Sequence, residues 1–359
     1  MPETVTKPLK SNAMTEFAPA LIAWQKTHGR HDLPWQNTRD PYKVWLSEVM
    51  LQQTQVVTVK DYFARFLAAH PTVASLAADS LDDVLALWSG LGYYSRARNM
   101  HRCAQDVVAL HGGTFPQTAE VLQTLPGIGP STAAAVASLC FSERVAILDG
   151  NVKRVLTRLL GFDADLAKSA NEKALWALAT QVLPHDDLWT AMPHYTQGVM
   201  DLGATLCTTR NPNCLLCPVE KLSASKKGGN PEAFPVKTKT LKRSSQSLWL
   251  LWATQPDGSV FLEQRPTPGV WAGLYCLPVF ESYEALVAAV SPDSLSLLED
   301  GAVFKHVLTH KDLHIHPVRL QMSEKPKHVE LNIKGNWVVA DAWPKLGLPA
   351  PIRKLLEKV

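Results

Sequence analysis

The sequence contains a glycine-rich turn, and an aspartate follows it about twenty residues later. The backbone N–H groups of such a turn can bind a phosphate, and the carboxylate can stabilise a positively charged reaction centre. Residues 125–131 read LPGIGPS, and Asp149 stands in the segment LDGNVKR at 148–154. Glycine tolerates positive φ, so the turn can direct backbone N–H groups at an anion, helped by the positive end of the helix that Pro130 opens. Most such turns only connect helices. The β-rich stretch at 145–148 and the basic residues after Asp149 favour a grip on a nucleic-acid backbone.

Glu48 is a second candidate acid, in the segment WLSEVMLQQTQ at 45–55. It adjoins the apolar stripe of a predicted helix at Val44 and Leu51. A lone glutamate there is usually just a partly exposed helix residue. The nearby amides can hydrogen-bond base edges, which favours a role at a nucleic acid; they are Gln52, Gln53 and Gln55.

Residues 90–99, GLGYYSRARN, place two aromatic and two arginine side chains after a glycine turn. Tyr93 could enter a base stack, and Arg96 could clamp a phosphate. Aromatic residues that simply cap the start of a helix are an equally good interpretation of this segment alone.

Cys207, Cys214 and Cys217 have the spacing C-x6-C-x2-C, whereas the other three cysteines are scattered. Such clustering is typical of zinc or iron–sulfur sites, although it can also arise by chance. A four-thiolate site needs a fourth sulfur, and after Cys217 the sequence offers only the remote Cys276.

Two carboxylates, a phosphate-binding hairpin and a thiolate cluster together predict removal of a base from nucleic acid. An enzyme that cleaves a base from its sugar must flip the nucleotide, protonate the leaving base and stabilise a cationic sugar. The last two tasks suit two acids in different environments, as in glycoside hydrolysis.

The chain of 359 residues is long enough for two domains, and its net charge of +3 permits a nucleic-acid partner without requiring one. It has no long apolar run and no signal-peptide pattern, so we expect a soluble, cytoplasmic protein, and its predicted action on nucleic acid would associate it with the nucleoid. Helical periodicity predicts an all-α domain at 14–222, after a disordered extension or tag remnant at 1–13. A basic interdomain linker is predicted at 223–244, either a solvated tether or a phosphate contact.

Residues 245–359 predict a mixed α/β domain. A hairpin at Asp257-Gly258 should join strands at 248–252 and 260–262. Further strands are predicted at 318–320 and 337–339, and helices at 283–290 and 352–358.

Residues 41–55, PYKVWLSEVMLQQTQ, and the hairpin with its aspartate resemble the helix-hairpin-helix glycosylase superfamily, in particular the MutY-type adenine DNA glycosylases. The resemblance implies an all-α helix-hairpin-helix domain with an iron–sulfur cluster loop at 207–223, followed by an α/β Nudix-like domain. It implies that Glu48 protonates adenine, that Asp149 stabilises the oxocarbenium ion and that Asn151 assists. The DNA contacts would come from Gln52, Tyr93, Arg96, Gly127, Gly129, Ser131 and Lys153. The expected substrate is double-stranded DNA with adenine opposite 8-oxoguanine or G, bound by a monomer in base excision repair.

Ser131 distinguishes this chain from related glycosylase-lyases, which carry a lysine nucleophile at the corresponding position. A serine cannot form a Schiff base with the sugar, so hydrolysis by a monofunctional glycosylase is expected.

The second domain resembles a Nudix-like lesion-recognition domain through residues 269–278, GVWAGLYCLP. The acidic metal box of catalytic Nudix hydrolases is missing after Pro278, which implies recognition without pyrophosphate hydrolysis. Leu308, Thr309 and His310 correspond to the family's Phe-Ser-His lesion loop. Two other functions stay open: a non-catalytic mismatch-binding protein, which would not need both acids, and a nucleotide-pool Nudix hydrolase, which would need the metal box.

Ser223 stands where the family has its fourth cluster cysteine. A serine oxygen is a poor ligand for a soft cluster. Three interpretations remain: Ser223 or another oxygen completes a [4Fe-4S] cluster, a three-iron cluster forms, or the cluster binds loosely. We expect a [4Fe-4S] cluster with an atypical fourth position.

Overall fold

The computed structural model describes residues 11–238, 242–322 and 333–357. The chain divides into two compact units, one formed by residues 1–77 and 102–240, the other by residues 78–101 and 241–359. The segment 78–101, predicted as part of the helical domain, thus groups with the C-terminal residues. Within the described ranges, no helix has the length and apolarity needed to cross a membrane.

The described part of the chain from 11 to 227 consists of helices joined by loops and turns, as the sequence predicts. The helices are α1 (Ser11–His28), α2 (Pro41–Leu51), α3 (Val56–Ala69), α4 (Val73–Ala78), α5 (Leu81–Trp88), α6 (Ser95–His111), α7 (Ala119–Leu122), α8 (Pro130–Phe141), α9 (Gly150–Leu160), α10 (Ser169–Gln181), α11 (Leu188–Thr205) and α12 (Ala224–Lys227). Because α1 begins at Ser11, residues 11–13 of the predicted extension are helical, while residues 1–10 lie outside the described part.

Side-chain caps and prolines define the starts of the helices that carry the candidate acids. The Asp40 carboxylate accepts a hydrogen bond from the Tyr42 N–H at the start of α2, and Asp149 caps α9 in the same way. Pro130 occupies the first position of α8, where its missing N–H costs no helical hydrogen bond. Residues 142–149 form no strand, so the prediction at 145–148 is wrong. This apolar run is buried in the helical core. A short apolar sequence indicates burial, but it does not show whether the buried segment is a strand.

The second unit is built on a mixed sheet, which confirms the α/β prediction. Its strands are β1 (Ser244–Thr254), β2 (Val260–Gln264), β3 (Tyr275–Cys276), β4 (Val279–Phe280), β5 (Leu298–Asp300), β6 (Phe304–Val307), β7 (Lys311–Gln321) and β8 (Asn336–Val338). The main order is β3-β2-β1-β7-β5; β1 and β7 are parallel, and the predicted hairpin joins β1 to β2. Two helices follow the predicted positions, α13 (Tyr283–Ala288) and α14 (Ala350–Leu356).

Residues 223–238 of the predicted linker lie along the helical unit. The Val236 carbonyl accepts from the Leu166 N–H at 3.0 Å, and the Thr238 N–H donates to the Asp165 carboxylate at 3.1 Å. Arg158 donates to the Phe234 carbonyl at 3.3 Å. These contacts argue against the interpretation of residues 223–238 as a freely solvated tether.

Candidate active site

Glu48, Asp149 and Asn151 line one cavity of the helical unit, about 740 Å³ in volume. We call it the carboxylate cavity. Its wall is formed by the segment before α2, one side of α2 with the turn after it, one side of α8, the N-terminal end of α9 and one side of α11. The volume lies in the range of small-molecule pockets. The fold therefore brings together two acids that are 101 residues apart in sequence.

Glu48 is suited to donate a proton near neutral pH. Burial, together with the nearby negative charge of Asp149, raises the pKa of its carboxyl group from 4.5 to about 7. A carboxyl group with this pKa is substantially protonated at pH 7, as a general acid requires.

Asp149 is held in a different environment, at the start of a helix. Its Oδ1 atom accepts the backbone N–H of Val152 at 2.7 Å. The positive end of α9 favours an anion at this position. The cavity thus pairs a protonatable acid with a fixed carboxylate.

Asn151 is fixed by a network that joins α9 to α11. Its Oδ1 atom accepts from Arg154 at 2.7 Å, and the same guanidinium donates to the Gly203 and Cys207 carbonyls, each at 2.7 Å. A Cβ atom added at Gly203 would lie 2.8 Å from the Asn151 Cβ. Only glycine therefore allows α11 to approach the start of α9 this closely.

The predicted hairpin presents its backbone to solvent next to this cavity. Gly127 has φ +75°, and both it and Gly129 are exposed, whereas Ile128 is buried and anchors the turn. Gly129 has φ −82°, so only Gly127 requires the glycine conformation. The Ser131 hydroxyl accepts from the Leu148 N–H at 3.1 Å, which fixes the residue before Asp149.

Two predicted DNA contacts of the helical unit have protein partners. The Gln52 amide lies 3.4 Å from the Thr132 hydroxyl, on the cavity wall. The Lys153 ammonium forms an ion pair with Glu172 at 2.6 Å. A phosphate would have to compete with that carboxylate for Lys153.

In the second unit, two predicted contacts that are 216 residues apart lie side by side. The hydroxyl groups of Tyr93 and Thr309 are hydrogen-bonded to each other. Leu308, Thr309 and His310 form the turn between β6 and β7, and Arg243 donates to the Thr309 carbonyl at 2.7 Å. Tyr93 is 39% exposed and has φ +47°, a left-handed conformation that projects it from the turn before α6.

Arg96 does not fit the predicted phosphate contact. Its side chain is buried, and its Nη2 atom donates to the carbonyls of Leu91 and Gly92, both at 3.2 Å. The guanidinium also lies over the Trp88 ring, 5.1 Å from its centroid. Arg96 therefore holds the glycine turn from inside.

Cys207, Cys214 and Cys217 are partly buried and line one small cavity together with Ser223. Among the described residues, no three His, Cys, Asp or Glu side chains are arranged to hold a metal ion. The Ser223 hydroxyl donates to the Arg158 carbonyl at 3.3 Å and accepts from the Lys226 N–H at 3.4 Å, as the N-cap of α12. By their chemistry the three thiols could supply three cluster ligands, whereas the Ser223 hydroxyl is engaged in a helix cap.

Arg30, Gln197 and Asp201 were missed in the sequence analysis. Arg30 and Gln197 line the carboxylate cavity, and Asp201 lies behind them. The sequence did contain a signal for two of them: Gln197 and Asp201 have an i, i+4 spacing on a largely apolar helix. Polar side chains buried on one face of such a helix need hydrogen-bond partners, so this spacing could have predicted their contact.

Two family profiles match the chain. That of the HhH-GPD superfamily base excision DNA repair protein matches residues 46–181, and that of the NUDIX domain matches residues 249–358. The adenine DNA glycosylase of Buchnera aphidicola subsp. Acyrthosiphon pisum is 34% identical over 343 residues, which are 95% of this chain and 97% of that protein. The chain belongs to the adenine DNA glycosylase family.

A mouse member of the adenine DNA glycosylase family is 45% identical over 219 residues, 58% of this chain and 41% of the mouse protein. The solved structure of a thermostable thymine-DNA glycosylase has a TM-score of 0.52 at 27% identity, and the match covers 60% of this chain and 98% of that one. The helical domain of this adenine DNA glycosylase family member thus has a glycosylase fold, and a Nudix-like domain follows it.

Proposed function

We propose that the protein hydrolyses the N-glycosidic bond of adenine mispaired with 8-oxoguanine or G in double-stranded DNA, during base excision repair. The observation that carries this proposal is a single cavity in which Glu48, with a pKa of about 7, accompanies Asp149 at a helix start. Family membership supports the choice of adenine.

The two acids divide the work of the reaction. Glu48 donates its proton to the adenine ring, which makes the base a better leaving group. As the bond breaks, positive charge develops on the sugar, and the Asp149 carboxylate stabilises it. Asn151, held by Arg154, assists at the edge of the same cavity. Water then adds to the cationic sugar carbon and forms a C–O bond, and the proton it gives up replaces the one that Glu48 lost to the departing adenine.

Ser131 supports hydrolysis without lyase chemistry. Its side chain carries a hydroxyl group and no amine, so it cannot form a Schiff base with the sugar. The hydroxyl oxygen accepts a hydrogen bond from the Leu148 N–H. Borohydride trapping should therefore yield no efficient covalent adduct through the hairpin, and efficient trapping there would contradict this part of the proposal.

The remaining predicted residues would hold the DNA. Gly127 and Gly129 would contact a phosphate, Gln52 and Tyr93 would enter the base stack, and Lys153 would exchange Glu172 for a phosphate. Leu308, Thr309 and His310 would read 8-oxoguanine. We propose that the protein binds the duplex as a monomer. Because its substrate is DNA, the protein would be associated with the nucleoid.

A [4Fe-4S] cluster would be held by Cys207, Cys214 and Cys217. Its fourth ligand would be atypical, because position 223 is a serine. Bound there, the cluster would cross-link the loop to the end of α11. Iron and sulfide analysis with electron paramagnetic resonance tests this part, and a fully active, iron-free protein would reject it.

A single-turnover assay on adenine opposite 8-oxoguanine, compared with adenine opposite G, tests the function. We expect excision of both by the wild type, and little excision by Glu48→Gln or Asp149→Asn. Wild-type activity in either variant would overturn the role of that residue, and no excision by the wild type would overturn the function.

A further inference from the structure

A second cavity, about 470 Å³ in volume, lies within the second unit. It is lined by β1, β7, the segment 301–306 and one side of α14, and we call it the basic cavity. Its apolar lining comes from Trp252, Phe304, Pro317, Pro351 and Leu355. The volume lies in the range of small-molecule pockets. Because no described residue lines both this cavity and the carboxylate cavity, the basic cavity is a separate site.

Positively charged groups dominate the polar lining of the basic cavity. Arg319 on β7, Lys354 on α14 and His306 on β6 line it, and among the described residues no carboxylate does. Glu299 lies opposite Arg319 on β5, but neither Arg319 nor Lys354 forms an ion pair with a described carboxylate. A cleft lined by charges of one sign attracts a ligand of the opposite sign. We therefore expect an anion in this cavity.

The imidazole of His306 lies close enough to Lys354 to be affected by its charge. Burial and the positive charge of Lys354 both lower the pKa of His306. The neighbouring Lys305 adds little free charge, because its ammonium forms an ion pair with Asp312 at 2.7 Å. An anion near both His306 and Lys354 would offset the repulsion between them.

Trp252 gives a second, independent indication of a ligand. Its side chain is only 3% exposed, and its Nε1 atom has no hydrogen-bond partner in the described part of the chain. A buried indole N–H normally has an acceptor. The Arg319 guanidinium lies over the same ring, 4.7 Å from its centroid. A ligand oxygen in the basic cavity could therefore accept hydrogen bonds from both groups.

We propose that the basic cavity binds a free phosphate monoester attached to a flat ring, with Arg319 and Lys354 at the phosphate and the apolar lining at the ring. The guanidinium can donate two parallel N–H groups to phosphate oxygens, and the ammonium adds a point charge. The domain lacks the acidic metal box after Pro278, so the ligand is bound without hydrolysis. This site goes beyond the proposed function, because it contains none of the residues assigned to base excision.

Isothermal titration calorimetry of the full chain with phenyl phosphate tests the proposal. This probe carries a phosphate monoester on a flat ring, and it has no adenine that could enter the carboxylate cavity. We expect Arg319→Gln and Lys354→Gln each to bind it about tenfold more weakly than the wild type, the effect of one lost charge-assisted hydrogen bond. Trp252→Phe should also weaken binding, because it removes the indole donor. Phenol and inorganic phosphate should each bind more weakly than phenyl phosphate.

Lys345→Gln is the matched control for Lys354→Gln. Lys345 is an exposed lysine of the same unit and does not line the basic cavity. We expect this variant to bind phenyl phosphate like the wild type. An equal loss of affinity in Lys345→Gln and Lys354→Gln would show general charge attraction and overturn the proposal. Absence of binding to the wild type would overturn it as well.

Competition distinguishes a free ligand from the DNA backbone as the source of the phosphate. We expect thymidine 5′-monophosphate, which also carries a phosphate monoester and a flat ring, to displace phenyl phosphate from the wild type. An undamaged DNA duplex should not displace it. Displacement by the duplex would place a backbone phosphate in the basic cavity and overturn the assignment to a free ligand.

Discussion

The carboxylate cavity and the cysteine loop at 207–217 are completed in different ways. In the cavity, each candidate acid is placed by protein contacts: Asp149 by the Val152 N–H at the start of α9, and Glu48 by the helix that Asp40 caps. In the loop, Arg158 donates to the Thr208 and Thr209 carbonyls and to the Cys207 Sγ atom, and the described residues include no three side chains arranged to hold a metal ion. The comparison teaches that protein contacts place both acids, whereas in the loop they fix the backbone and one of the three thiols.

The largest effect is expected for Asp149→Asn. Asparagine caps helices about as well as aspartate, so the fold should survive while the charge is lost. Loss of electrostatic stabilisation should slow adenine excision by about 10³-fold. Single-turnover rates measure this effect, and an unchanged melting temperature is the control. A loss of less than about tenfold would show that the cavity does not depend on this charge.

Gly203→Ala should damage the cavity through packing. The new methyl group would press on Asn151 at 2.8 Å, so α9 or α11 must shift. We expect a loss of about 1–3 kcal/mol in the free energy of unfolding and a slower excision rate. Gly228→Ala, whose added Cβ has ordinary contacts beginning at 3.6 Å, is the matched control. Equal effects of both variants would contradict the close-approach argument.

Glu48→Gln should stabilise the protein in alkaline solution. Because burial raises the pKa of Glu48 from 4.5 to about 7, the folded state binds its proton more tightly than the unfolded state. This stabilisation is present below pH 4.5 and is lost as the pH rises through about 7. The introduced glutamine does not ionise, so the variant should exceed the wild type by about 1–3 kcal/mol at about pH 8. Denaturant unfolding at several pH values measures this difference, and a pH-independent difference would refute its cause.

The smallest effect is expected for Ser223→Ala. Loss of the α12 cap should cost about 1 kcal/mol of stability. Excision should change by less than about twofold, because Ser223 does not line the carboxylate cavity. The iron content should not change, whereas Ser223→Cys should increase iron retention. A loss of iron in Ser223→Ala would show that the serine is a ligand.

The sequence predicted the acids better than the network that supports them. Glu48 and Asp149 lie in local motifs, which can be recognised from the sequence without knowing which distant residues they contact. The partnership of Arg30 with Asp201 spans 171 residues, so only the packed helices reveal it. The phosphate contact predicted for Arg96 stays untested, and a local pattern does not show that its guanidinium folds back on the Leu91 carbonyl.

The pH dependence of single-turnover adenine excision tests the central claim most directly. If Glu48 is the acid, the wild-type rate should be constant in acidic solution and fall about tenfold per pH unit above pH 7, where the carboxyl group loses its proton. The residual rate of Glu48→Gln should lack this decrease. A wild-type rate that stays constant to about pH 9, or the same decrease in Glu48→Gln, would contradict the assignment of Glu48 as the proton donor.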